Sequence, residues 1–233
     1  MNTILQTLFR PERAFNELKQ ENKFPVMALV ILLILLAVNY ILLIPINAKV
    51  LELTYSSMPF SEKQLEYTLG FTYKLRYLIV VGSIVTIAIT MFVYALLLYT
   101  ATVIAKPALT YVKSLTLIIY GYFAVLIGEL INTGLLYIRG FDVIASPYEI
   151  SQTGLNLMTA VEKTGAAVYT LLSMINPFQV WFVILLSTGL KVFANIKYIK
   201  ALFICFIFWL LTVIYPVAAA YFSEMIMQKT GLM

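Results

Sequence analysis

Residues Val26 to Ile46 read VMALVILLILLAVNYILLIPI, twenty-one residues without a charged side chain. A helix rises about 1.5 Å per residue, so roughly 20 such residues cross the ~30 Å hydrocarbon core of a bilayer. A run this long and this apolar is hard to bury in a soluble domain, whose amphipathic helices keep a polar face toward water. Pro45 stands where the span is expected to end, because proline lacks the N–H that would continue the helical ladder. The stretch therefore reads as a transmembrane helix, and the rest of the chain follows from it.

On both sides the same composition continues. The chain has 233 residues, of which 62% are hydrophobic and 12% charged, with a mean hydropathy of +0.93. Soluble domains carry about 45–50% apolar and ~25% charged residues, so the bilayer is the expected solvent for most of this chain. Further spans are expected at about 77–105, 114–138 and 201–223, with a fourth at 177–190 behind a lead-in from about 166, where Asn176-Pro177 interrupts the run. The fold class is thus all-α: a polytopic membrane protein, a bundle of about five transmembrane helices in residues 26–233. Pro107 marks a span end and Pro216 a kink in this reading.

Residues 1–25 form a cytoplasmic amphipathic segment. Ile4, Leu5, Leu8 and Phe9 share one side, and Pro11 opens a second helical piece carrying Phe15 and Leu18. This piece is expected to lie in the membrane interface with its apolar face down and Arg10, Arg13, Lys19 and Lys23 near headgroups. A cleavable signal peptide is not expected, since a charged segment precedes the first apolar span. After Pro59, Ser61 and Gln64 have the spacing of a capping box, which predicts a short helix with Leu65 and Leu69 on one side. A weaker helical pattern runs through Leu155, Leu157, Met158 and Val161.

Lysine and arginine set the orientation. Nine fall in the N-terminal segment and the second and fourth loops, while seven are spread over longer segments on the other side that also hold most of the acids. The N-terminus is expected in the cytoplasm and the C-terminus outside.

With no histidine and one cysteine, Cys205, the chain lacks the material for a histidine-based metal site, a Ser-His or Cys-His nucleophile, or an intrachain disulfide. No catalytic, cofactor-binding or metal site is expected. Nucleic acid is not an expected partner either, because the basic residues sit beside apolar spans and form no continuous stripe. Glu129 is the informative residue, since an ionisable group inside a span is rare and costly. Counting depth along alternating spans puts Asn39, Glu129, Asn132 and Tyr215 at one level, a candidate polar cluster. A protonatable transport site and a hydrogen-bonded packing element are the two readings, and the missing repeats and paired broken helices favour packing. Gly121 and Gly128, seven apart, mark one helix face for close approach of a neighbour.

Several motifs carry a family resemblance. Leu8-Phe9-Arg10-Pro11-Glu12-Arg13-Ala14-Phe15, then Tyr120-Gly121-Tyr122, then Asn176-Pro177-Phe178-Gln179-Val180-Trp181 running on to Gly189, resemble bacterial members of the Yip (Ypt-interacting protein) family. The resemblance implies a five-helix protein of the bacterial cytoplasmic membrane. It also implies a non-catalytic role as an accessory or scaffold subunit for another membrane complex, such as an ABC-type exporter, or as an organiser of the bilayer. Eukaryotic members are linked to Rab-type GTPases. This chain has neither their Asp-Leu-Tyr-Gly-Pro segment nor their long N-terminal cytosolic domain, so a GTPase partner is not expected. The alternative is a small proton-coupled transporter or channel built on Glu129.

Overall fold

The computed structural model describes every residue except 1, 22–23, 57–60, 107–108, 141–149, 152 and 230–233. Lys23, Pro59 and Pro107, singled out above, lie outside the described residues. Regular structure among the described residues is helical throughout: α1 (Asn2–Phe9), α2 (Pro11–Glu21), α3 (Val26–Leu42), α4 (Ile44–Ser56), α5 (Glu62–Lys74), α6 (Arg76–Ile104), α7 (Tyr111–Arg139), α8 (Val161–Thr164), α9 (Ala166–Met174), α10 (Pro177–Ala194) and α11 (Tyr198–Lys229), with a 3₁₀ turn at Leu155–Met158. Among the described residues, four helices are long and apolar enough to cross a membrane, namely α6, α7, α10 and α11. The pair α3 and α4 makes a fifth span if taken together, although its two parts are bent by 52°.

That bend falls inside the span expected over 26–46, and proline chemistry explains it. Pro45 falls in the first turn of α4 and so follows the break instead of ending the helix. With no N–H it cannot bond to the carbonyl of Ile41, and its ring crowds that carbonyl, so α3 stops at Leu42 and a new helix starts on a different axis. Pro216 behaves differently, lying inside a helix that continues unbroken from Tyr198 to Lys229. Ser61 caps α5 with the reciprocal Ser61–Gln64 bonds that their spacing predicts.

The described chain divides into two compact units. The first comprises Met1–Leu35, Val85–Gly128 and Pro177–Ile214. Its core is drawn from one stripe each of α6 (Met91, Ala95, Leu98) and α11 (Ala201, Ile204, Cys205, Phe208), and from α7, which is buried on nearly every side over Leu115–Leu126. Here α7 and α10 interlock in opposite directions. A Cβ built on Gly128 would lie 2.6 Å from the Phe178 side chain, one on Gly121 would lie 3.1 Å from Phe182 and Leu186, and one on Gly189 would strike Leu117. Each helix thus sinks bulky groups into the other where side chains are absent. Asn195, in the left-handed conformation, ends α10, with the Ile196 N–H returning to the Lys191 carbonyl.

The N-terminal helices add to this unit and seat part of their apolar face on protein, while Leu5 and Phe9 stay exposed. Ala14, Phe15 and Leu8 are buried. The Phe15 ring fills the space left by Gly189, 3.0 Å from a Cβ built there, and meets Phe193 edge-on at 5.8 Å. Pro11 opens α2 with the Arg10 carbonyl already accepting the Ala14 N–H. Polar contacts fix the same face: Lys19 Nζ donates to the Val192 carbonyl at 2.7 Å, and Lys191 pairs with Glu12 at 2.8 Å. The carbonyl of Val192 belongs to the last turn of α10, which has no helical donor of its own, so Lys19 is a C-terminal cap supplied from α2. Phe9 reaches Trp181 from α1, with ring centroids 6.5 Å apart.

In the second unit, Leu36–Ile84, Glu129–Asn176 and Tyr215–Met233, Ile46 and Leu136 form a small buried core with Leu43, Val50, Leu53 and Ile150 packed around it. Gly165 separates α8 from α9 at a φ of 75°, a backbone conformation suited to glycine. The following amide, Ala166 N–H, donates to Glu224 at 2.9 Å, so a carboxylate from α11 caps the N-terminus of α9.

Gly128→Ala would push a methyl group into the root of Phe178, and is expected to lower stability by about 1–3 kcal/mol, the usual range for overpacking. Gly134 on the same helix has nothing within 4 Å of a built Cβ. Gly134→Ala should therefore leave the thermal unfolding midpoint in detergent unchanged or raised, and an equal loss for both variants would disprove the interlock.

Candidate functional site

The polar residues of α3 and α7 that fall in the second unit define the candidate site. Asn39 lies in the last part of α3 and is 1% exposed. Its side-chain oxygen accepts a hydrogen bond from Thr133 Oγ1 at 2.9 Å. One turn before Thr133 on α7 lies Glu129, on the same helix face. Its Oε2 is buried and has no hydrogen-bond partner among the described residues. The Tyr40 hydroxyl lies within electrostatic range of that carboxyl. Asn132, three residues along α7, turns elsewhere and donates to the Ile150 carbonyl at 3.0 Å.

The break at Leu43 leaves carbonyls of the last turn of α3 without helical donors. Tyr137 supplies one, its hydroxyl donating to the Leu42 carbonyl at 2.7 Å. Thr133 and Tyr137 are four residues apart on α7, so one face of that helix holds both the side chain of Asn39 and the loose end of α3. Such bonds join helices in a solvent that competes with none of them.

The sequence-based cluster is thus assembled in part. Asn39 and Glu129 belong to one face-to-face region, Asn132 is bonded to Ile150, and Tyr215 stands 81% exposed. Depth counting cannot separate these outcomes, because rotation about each helix axis decides which residues face inward. Thr133 is the member that sequence reasoning missed, and Tyr137 and Tyr40, which read from sequence as interface anchors near span ends, belong here as well. Thr133 and Tyr137 had a signal in their i+4 spacing from Glu129 and from each other.

The motif positions have clear places. Tyr120 is buried, and Tyr122 meets Phe182 edge-on at 6.4 Å beside Gly121. Pro177 opens α10, Phe178 and Trp181 follow on its first turns, and Gly189 receives Phe15. Asn176 donates to the Ser173 carbonyl at 3.1 Å, in the turn that closes α9. Pro11 and Phe15 hold α2 on α10, as described above. These residues shape helix contacts, which suits a signature of fold. A family model, the Yip1 domain, matches residues 5–220. The chain belongs to the Yip1 domain family. No curated protein and no solved structure matches it. In this Yip1-family protein, no group of three or more His, Cys, Asp or Glu able to hold a metal is found among the described residues.

If the Thr133–Asn39 bond ties the two helices, Thr133→Val and Asn39→Leu should couple in a double-mutant cycle by about 0.6 kcal/mol, and by up to about 1.7, the span measured for such bonds within membranes. Unfolding in detergent reads the coupling. Tyr215→Phe is expected to change stability by less than about 0.5 kcal/mol, as surface substitutions do.

Proposed function

We propose that this protein works by binding, as a non-catalytic accessory or scaffold subunit of another membrane complex, an ABC-type exporter being a candidate, with its N-terminus cytoplasmic and its C-terminus outside. One observation carries the reading: only 17% of the most apolar window of α6 is buried within the chain, against 72% for α7. Phe92, Val93, Leu96 and Leu97 all face outward. An apolar flank of this length has either lipid or another protein's helix against it. The polar groups of Asn39, Thr133, Asn132 and Tyr137 are occupied in bonds between segments of the chain, which supports packing over a solute path.

Photo-crosslinking residues at Phe92 and Leu96 are expected to give one discrete protein adduct in native membranes, whereas the same group at buried Leu117 gives none. Lipid adducts alone at the exposed positions would refute the accessory role.

The second reading, a small proton-coupled transporter, is favoured by the unpartnered Glu129 oxygen. In liposomes holding only this protein, it requires a pH-dependent flux that Glu129→Gln abolishes. The binding reading expects no such flux and an unchanged crosslinked adduct in Glu129→Gln.

A further inference from the structure

A cavity of about 1190 Å³ opens between α4 and the junction of α5 with α6. Its size exceeds the ~300–1,000 Å³ of usual small-molecule sites. Two kinds of surface line it. Ile44, Val50, Leu51, Leu69, Ile79 and Val80 give an apolar wall, and Lys49, Glu52, Glu66 and Arg76 add charges. Arg76 begins α6, and Ile79, Val80 and Ser83 lie on its next two turns, so the cleft runs from the charged start of a spanning helix into the part that crosses hydrocarbon. An occupant must therefore carry a long apolar body and a polar head.

The charges say which head. Lys49 is paired with Glu52 at 3.3 Å. Among the described residues, neither Arg76 nor Glu66 has an ion pair. The Arg76 guanidinium lies 3.9 Å from the centre of the Tyr73 ring and 4.8 Å from that of Tyr77. One N–H is given to the Tyr73 carbonyl at 3.1 Å. Stacking fixes the planar fork, and a guanidinium carries five N–H donors suited to a phosphate. Aromatic rings and an arginine at a span end also mark headgroup level. What the lining offers beyond its internal pair is one cation and one anion.

We propose that this cleft binds a zwitterionic phospholipid bearing a primary amine, of the phosphatidylethanolamine type. The acyl chains lie along Ile79 and Val80, the phosphate meets Arg76, and the ammonium reaches past Leu69 to Glu66. Phosphatidylglycerol offers the phosphate and neutral hydroxyl donors but no positive charge to the Glu66 carboxylate. Phosphatidylcholine offers the positive charge without an N–H for that carboxylate to accept.

Native mass spectrometry of the detergent-purified full chain, titrated separately with the three lipids, tests the assignment. The unaltered protein is expected to hold phosphatidylethanolamine at least about threefold more tightly than either of the others. Arg76→Gln should weaken both phosphatidylethanolamine and phosphatidylglycerol by about tenfold. Glu66→Gln should erase the preference for phosphatidylethanolamine over phosphatidylcholine without weakening phosphatidylglycerol. Leu69→Trp, which fills the cleft, should displace all three. Equal binding of the three headgroups, a preference for phosphatidylglycerol, or indifference to both Arg76→Gln and Glu66→Gln would overturn the proposal. Because both charge variants alter exposed or half-buried side chains, they report even if Leu69→Trp does not fold.

Discussion

Lipid gives apolar helices no reason to leave it for one another, so the contact between α7 and α10 must draw its strength from fit. Phe178 sits at Gly128, Phe182 at Gly121, and Leu117 at Gly189. Each glycine brings a ring or a branched chain against bare backbone, where many atoms lie at dispersion distance at once. Over Leu115–Leu126 α7 is buried on nearly every side, and the socket at Gly189 also admits Phe15, which is why the N-terminal helix has a protein surface to lie on.

The second unit is joined by other means. Its helices are shorter or broken, its apolar core is small, and polar bonds take a larger share. Pro45 interrupts one helix and strands its carbonyls; Tyr137 answers one of them, Thr133 holds the neighbouring Asn39, and Glu224 caps α9 from α11. In a medium without water, a freed backbone group needs a protein partner, and the side chains that supply one become ties between segments.

How much of this could be read in advance depends on the range of each interaction. The Ser61–Gln64 cap was legible because both partners lie within one turn. The apolar runs were legible because the bilayer demands length and hydrophobicity whatever the neighbours are. Pro45 was legible as a break, but whether the chain would leave the bilayer there or resume as a second helix was not, since that depends on what lies beside the break. Pairings such as Thr133 with Asn39, 94 residues apart, leave no local trace. Tyr215 illustrates the remaining difficulty: depth follows from counting residues, but facing depends on the rotation of a whole helix, and α11 is apolar on every side. The cap that Glu224 supplies leaves no local trace, because its partner, the amide after Gly165, is defined only by the fold.

The seat of α2 on α10 also has a consequence in time. Lys19 leaves the ribosome 173 residues before Val192, the carbonyl it caps. At ~5–20 residues added per second, roughly nine to thirty-five seconds separate the two. Throughout that interval the ring of Phe15 has no socket, and the membrane surface is the nearest shelter for it. Helix α2 is thus made well before it can dock, and its docking records that α10 is in place.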